Sequence, residues 1–279
     1  MKINLAKSAG FCFGVKRAID IAYKTLASHK NVYTLGNIVH NEDVARKLKK
    51  AGIKKSEKLG CGKNKIFLIR AHGAGINIIN QAGKLGYKIV DATCPMVKEI
   101  HKIVRSAERY GYRIIVIGDK KHDEVQGIIG QLKKRAIVID DAQHIPWAKI
   151  KKIKKACVVV QSTQNLEKVF KIIGVLKPHI KELKFFNTIC RPTRIKQQEI
   201  KNMPLKNDAM IIIGSKTSAN TKRLFEISKS LNKNSYWIQS KKDLKPNWFK
   251  QAKTVGVSAG ASTPDETIRE IVDYLRRLD

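Results

Sequence analysis

The sequence is short of several things. Acidic residues number 23 against 56 Lys and Arg, giving a net charge of +33. Aromatic residues make up 6% and prolines number 7. No run of 18 apolar residues occurs, so a membrane-spanning helix is not expected. The start, Met1-Lys2-Ile3-Asn4-Leu5, is too short and too polar for a secretory leader, and a cytoplasmic protein is the expectation. There is no Walker A lysine motif and no convincing G-x-G-x-x-G, which argues against a nucleotide as the main ligand. The five cysteines, Cys12, Cys61, Cys94, Cys157 and Cys190, form no C-x-x-C pair. Zinc-ribbon and thioredoxin patterns are thereby excluded, and thiols that act together must be gathered from far apart.

The 43% hydrophobic and 28% charged content is that of a globular chain long enough for two or three compact units. The basic excess has three explanations: compositional drift toward lysine, steering of anionic ligands or acidic partners, and nucleic-acid binding. The basic pairs are scattered, with one local cluster from Lys149 to Lys155, so drift is preferred and nucleic acid is not expected.

Short apolar strands alternate with amphipathic helices, the pattern of α/β layers with mostly parallel sheets. Clear strands are Lys65–Arg70, Tyr87–Val90, Arg113–Ile117, Ala156–Val160, Ala209–Ile213 and Thr254–Val257. The order then repeats. Cys12, Cys94 and Cys190 each lie between a strand and a helix, 82 and 96 residues apart. His40, His122 and Ser218 follow strand ends with the same two steps, and His72, Ser162 and Ser262 stand in a further set of strand-end loops. Three units are expected: 13–94, 95–190, and 191–279 completed by the strand in 1–12. Ligands of parallel α/β sheets sit beyond the carboxyl ends of strands, so a pseudo-threefold ring would turn these landmarks into one cavity.

Three thiols on a cavity wall could be structural, zinc-binding or cluster-binding. Each precedes a helix start, which favours the thiolate. Zinc in a structural site wants a fourth protein ligand; three cysteines suit a 4Fe–4S cluster with one iron left open. Cys157 reads as strand core and Cys61 as a loop residue without a task. The histidines, with Ser218, Asn220 and Ser262, supply donors for phosphate oxygens. Glu124 stands two residues after His122, where a neighbouring diphosphate would favour its protonated form, so proton donation is expected of it; its bland alternative is an N-terminal charge for a helix over Glu124–Leu132.

Seven motifs carry a resemblance: Gly10-Phe11-Cys12-Phe13-Gly14-Val15, Ile38-Val39-His40-Asn41, Arg70-Ala71-His72-Gly73, Asp91-Ala92-Thr93-Cys94-Pro95, His122-Asp123-Glu124-Val125-Gln126-Gly127, Asn187-Thr188-Ile189-Cys190 and Ala259-Gly260-Ala261-Ser262. In these the chain resembles the 4-hydroxy-3-methylbut-2-enyl diphosphate reductase (LytB-type) family. The resemblance implies a trefoil of three α/β units around one 4Fe–4S cluster held by Cys12, Cys94 and Cys190. It implies an allylic diphosphate substrate held by His40, His72, His122, Ser162, Ser218, Asn220 and Ser262, with Ala219 in the same set, and Glu124 as proton donor. It implies electrons from a ferredoxin or a flavodoxin. Three positions depart from the family pattern: Ser162 where Thr is typical, Ala219 where Ser is usual, and Asp123 where Pro is usual. The second loses a diphosphate donor, and the third is expected to loosen the His122–Glu124 loop. Two rivals stand beside this reading: a zinc or iron hydrolase of diphosphates, and an RNA-binding α/β protein using the positive charge.

Overall fold

The computed structural model describes residues 1–278; Asp279, the last residue of the expected third unit, lies outside the described residues. Twelve strands form three four-stranded sheets, parallel throughout. The first sheet is built from β2 (Val32–Leu35), β3 (Lys54–Ser56), β4 (Ile66–Ile69) and β5 (Lys88–Asp91), in the order β3-β2-β4-β5. The second, from β6 (Arg113–Ile117), β7 (Ile137–Ile139), β8 (Lys155–Val160) and β9 (Glu182–Phe185), runs β7-β6-β8-β9. The third, from β1 (Lys2–Leu5), β10 (Ala209–Ile213), β11 (Ser235–Ile238) and β12 (Thr254–Ala259), runs β11-β10-β12-β1. The pattern is one and the same: second strand, first, third, fourth. In the third sheet the fourth strand is the amino-terminal one, pairing Ile3 with Val255 and Leu5 with Val257.

Among the described residues ten α-helices connect them: α1 (Phe13–Ser28), α2 (Glu42–Lys50), α3 (Ile76–Lys84), α4 (Pro95–Arg109), α5 (Asp123–Ile129), α6 (Trp147–Ile150), α7 (Leu166–Leu176), α8 (Arg191–Asn202), α9 (Ala219–Leu231) and α10 (Asp265–Arg276). The expected helix at Glu124 thus starts one residue earlier and ends at Ile129.

The chain divides into two compact units, one of residues 1–16, 40–46 and those from Arg191 on, the other of 17–39 and 47–190. The smaller holds the third sheet and the larger holds the other two.

The apolar runs are continuous because the central strands are covered on both faces. In the second sheet, Ile115, Ile117, Val158 and Val160 pack with Val169, Ile172 and Leu176 of α7. On its other face Ile114, Val116, Cys157 and Val159 pack with Ile100 and Val104 of α4. The third sheet repeats this: Ile211, Ile213, Val255 and Val257 meet Ile268, Ile271 and Leu275 of α10, while Met210 and Ile212 meet Leu224 of α9 and Ile200 of α8. Each such side chain contributes about 1.5–3 kcal/mol when fully removed from water.

β3, β7 and β11 are absent from the strands read in the sequence. They are edge strands of three or four residues, and Lys54-Lys55-Ser56 is polar on both faces, so no hydrophobic alternation announces it. Cys157, expected as strand core, is fully buried in β8, where loss of solvation pushes its thiol up to about 11. Cys61 is an exposed loop residue, as read.

Candidate active site

The three repeated cysteines are mounted identically. The backbone N–H of Cys12 donates to the Ala261 carbonyl (3.0 Å), that of Cys94 to Ala71 (2.9 Å), and that of Cys190 to Ser162 (3.0 Å). Each acceptor lies in the loop that follows the sheet's third strand. Those loops are closed by equivalent turns: Gly73 to Arg70, Gln164 to Gln161, and Thr263 to Gly260, at 3.0, 3.0 and 3.1 Å. The register corrects one grouping. Thr163, not Ser162, is the structural counterpart of His72 and Ser262; counting from the strand ends in the sequence could not resolve a slip of one residue. The Cys12 and Cys94 carbonyls accept from Lys16 and Lys98 four residues on, so both residues open a helix, with Pro95 following Cys94 at the first helical position. All three thiols are partly accessible and none is in a disulfide.

In the larger unit the candidate residues form one connected set. Glu124 is 2% exposed. One carboxylate oxygen accepts from the Ser162 backbone N–H (2.5 Å) and the other from the Ser162 hydroxyl (2.7 Å). The Ser162 hydroxyl is therefore in use. His122 caps α5, its Nδ1 accepting from the Glu124 N–H at 3.1 Å. A ring whose Nδ1 accepts in this way is the neutral tautomer with its proton on Nε2. The His122 ring meets that of His72 edge to face, with centroids 5.6 Å apart. His72 adjoins Ala71, the acceptor for Cys94, and Ser162 is the acceptor for Cys190. One path thus runs from Cys94 to Ala71, through its neighbour His72 to His122, Glu124 and Ser162, and on to Cys190.

Asp123 has a partner of its own in this loop. Its carboxylate accepts from Arg70 at 2.6 Å, the two side chains being 30% and 21% exposed. The ion pair ties the His122 loop to the turn carrying His72, supplying by charge the restraint that a proline supplies by its ring. Behind the turn lies His101 of α4, 7% exposed and held down to about 4, first by burial and then by Arg105.

In the smaller unit, Ser262 donates its hydroxyl to the His40 carbonyl (2.8 Å), joining those two loops. Asn41, one residue past His40, caps α2 by accepting from Val44 N–H (3.0 Å). Ser218 caps α9 through Thr221. Ala219 and Asn220 open that helix, and both are buried; the Asn220 side-chain amide nitrogen has no protein partner. A buried amide donor left over at a helix start fits an anionic ligand. Glu42 accepts from Ser215 (2.8 Å), Thr217 (3.2 Å) and Gln239 (3.3 Å), fastening the start of α2 to the rim of the third sheet. None of this clamp was singled out in the sequence, since a lone Glu at a helix start reads as a surface charge.

The donor set is three thiols at loop-to-helix junctions, with no fourth cysteine beside them in the repeat, and it fits an iron–sulfur cluster better than a closed zinc site. Among the described residues no helix is long and apolar enough to cross a membrane.

The profile of the family described as LytB protein matches residues 3–276. A 4-hydroxy-3-methylbut-2-enyl diphosphate reductase from Aquifex aeolicus is 40% identical over 99% of this chain and 96% of its own length. One from Clostridioides difficile is 38% identical over the full length of both. Among solved structures, an (E)-4-hydroxy-3-methyl-but-2-enyl diphosphate reductase, described as the terminal enzyme of the non-mevalonate pathway, superposes with a TM-score of 0.73 at 39% identity, covering 99% of this chain and 100% of that one. The Plasmodium falciparum reductase superposes with a TM-score of 0.89 at 29% identity, over 98% and 87% of the two chains. With its family profile matched almost from end to end and relatives this similar over their whole length, the chain belongs to the LytB family.

Proposed function

We propose that this chain is an oxidoreductase that reductively removes the hydroxyl of (E)-4-hydroxy-3-methylbut-2-enyl diphosphate, giving isopentenyl and dimethylallyl diphosphate in the non-mevalonate pathway. Two electrons and two protons enter, and the hydroxyl leaves as water. The observation that carries the reading is the path from Cys94 through Ala71, His72, His122, Glu124 and Ser162 to Cys190, which joins two candidate metal ligands to a candidate proton donor and two candidate anion donors.

Cys12, Cys94 and Cys190 would hold one 4Fe–4S cluster, which when bound supplies electrons one at a time and a Lewis-acidic iron. The remaining work belongs to side chains. His122 presents Nε2–H, and with His40, His72, Ser218, Asn220 and Ser262 it holds the diphosphate. Ala219 contributes backbone alone, one hydroxyl fewer than is usual at that position. Glu124 carries the proton that leaves with the hydroxyl oxygen, and its bonds to the Ser162 N–H and hydroxyl hold the carboxyl group in place. Burial of Glu124 keeps bulk water from competing for that proton. Ferredoxin or flavodoxin supplies the electrons, and the cytoplasm, where thiols stay reduced, is the compartment this chemistry needs.

Anaerobic purification followed by an assay with a reduced carrier and the hydroxylated diphosphate tests the whole reading. A brown protein that turns over is expected; a colourless zinc protein that releases phosphate would sink it. Serine at Cys12, Cys94 or Cys190 is expected to strip iron, and serine at Cys61 to leave it. Glu124→Gln is expected to bind substrate while turnover falls by about 10²–10⁴.

A further inference from the structure

Lys196 lies on α8, six residues after Cys190, and is 2% exposed. A buried ammonium is expensive unless its three donors are satisfied. Here its Nζ donates to the carbonyls of Ser8, Gly10 (3.1 Å) and Ala259 (3.1 Å). Ser8 and Gly10 belong to the segment leading from β1 into Cys12. Ala259 ends β12, two residues before the Ala261 carbonyl that receives the Cys12 N–H. One side chain therefore clamps both sides of the Cys12 mount.

The mount cannot be rebuilt easily around a different clamp. Gly10 has φ +97°, and a Cβ there would sit 2.6 Å from an Asp265 carboxylate oxygen. Glu199, one turn beyond Lys196, accepts from the backbone N–H groups of Lys7 (2.9 Å) and Ser8 (3.0 Å) and from the Ser8 hydroxyl. The segment before Cys12 is thus held by a cation through its carbonyls and by an anion through its amides.

A neutral donor could tie a loop. What a lysine adds is charge, and all three of its donors go to carbonyl oxygens, so no hydrogen-bonded carboxylate cancels it. The charges it faces are the Cys12 thiol first, then Glu199 and Asp265, and all three favour the ammonium. Burial opposes them, yet three carbonyl acceptors call for three N–H donors, which the ammonium has and a neutral amine, with two, does not.

We propose that Lys196 is a positioning residue that fixes the Cys12 loop and whose buried positive charge raises the reduction potential of the metal group that Cys12 holds. The proposal rests on the cluster reading given under Proposed function and goes beyond it. A reduced cluster carries one more negative charge than an oxidised one, and a cation hydrogen-bonded only to carbonyls beside one of its thiolates stabilises the reduced form.

The test is a spectroscopically monitored redox titration of anaerobically purified holoprotein, with iron content measured on the same samples. Lys196→Gln is expected to keep iron and to disfavour one-electron reduction about tenfold, a midpoint about 59 mV lower. Lys196→Arg, which keeps the charge, is expected to titrate close to the parent. Iron-loaded Lys196→Gln with an unchanged midpoint would overturn the proposal, and so would an arginine variant that shifts as far as the glutamine one. Should Lys196→Gln not accumulate folded, Glu199→Gln decides. It removes the opposing charge and is expected to raise the midpoint; no rise overturns the proposal. A parent chain that takes up no iron fails the cluster reading itself, whereas a loaded parent whose variants do not move fails only this one.

Discussion

At His122 a single imidazole caps a helix through Nδ1, so the fold itself chooses the tautomer of the neutral ring. The same economy appears at the turn carrying His72. Gly73 has φ +79°, and an added Cβ would lie 2.7 Å from the His101 ring. A left-handed conformation costs a non-glycine residue about 1–2 kcal/mol before any clash is counted. Gly73→Ala is therefore expected to lower unfolding free energy by at least that amount in urea. It should also weaken diphosphate affinity, read by calorimetric titration, because the His72 backbone must move with its neighbour. Of the site residues, the cysteines and histidines stood out in the sequence because rare residue types recurred at two constant steps. Lys196 and Glu42 did not: lysine is common in this chain, a glutamate at a helix start is ordinary, and nothing local marks either.

At the scale of elements, α4 does two things: Cys94 stands at its N-terminus, and its middle presents His101 to the back of the His72 turn. His101 titrates at about 4 in the folded protein against an ordinary 6.5, the cause being burial first and Arg105 second. The unfolded chain therefore binds the extra proton between those values. The stabilisation is complete above pH 6.5, shrinks as pH falls, and is gone below about 4. The 2.5-unit gap corresponds to about 3 kcal/mol. Urea midpoints measured from pH 7.5 to 4.5 are expected to fall steeply in the parent and less so in His101→Gln; parallel curves would remove this histidine from the account. The central strands were legible as unbroken runs of isoleucine and valine because both of their faces are buried. Edge strands such as β3 were not, because a strand bonded on one side and wetted on the other needs no apolar pattern. The Asp123 departure read as a loss of rigidity, since proline's restraint is local and visible in sequence. Its replacement, a pair with Arg70 53 residues away, is not.

At the scale of the whole molecule, the charge of +33 separates compositional drift from steering by an experiment. If the charge steers an acidic one-electron carrier, the rate of reduction by that carrier should fall about tenfold or more between low and high salt, whereas reduction by a cationic viologen should not fall. A rate indifferent to salt would leave drift as the explanation. Much was settled by the chain alone. The repeated order of strand, cysteine and helix required three parallel sheets of one design, and the third lacked a strand that only the amino terminus could supply. The motifs were specific enough to place the family. Tertiary structure decided what depends on distance and not on order: which backbone carbonyl receives each cysteine N–H, that Glu124 turns to Ser162, and that a lysine lies buried beside Cys12. Those outcomes follow from packing between residues 23 to 249 positions apart, and pattern along a chain carries information only about near neighbours and period.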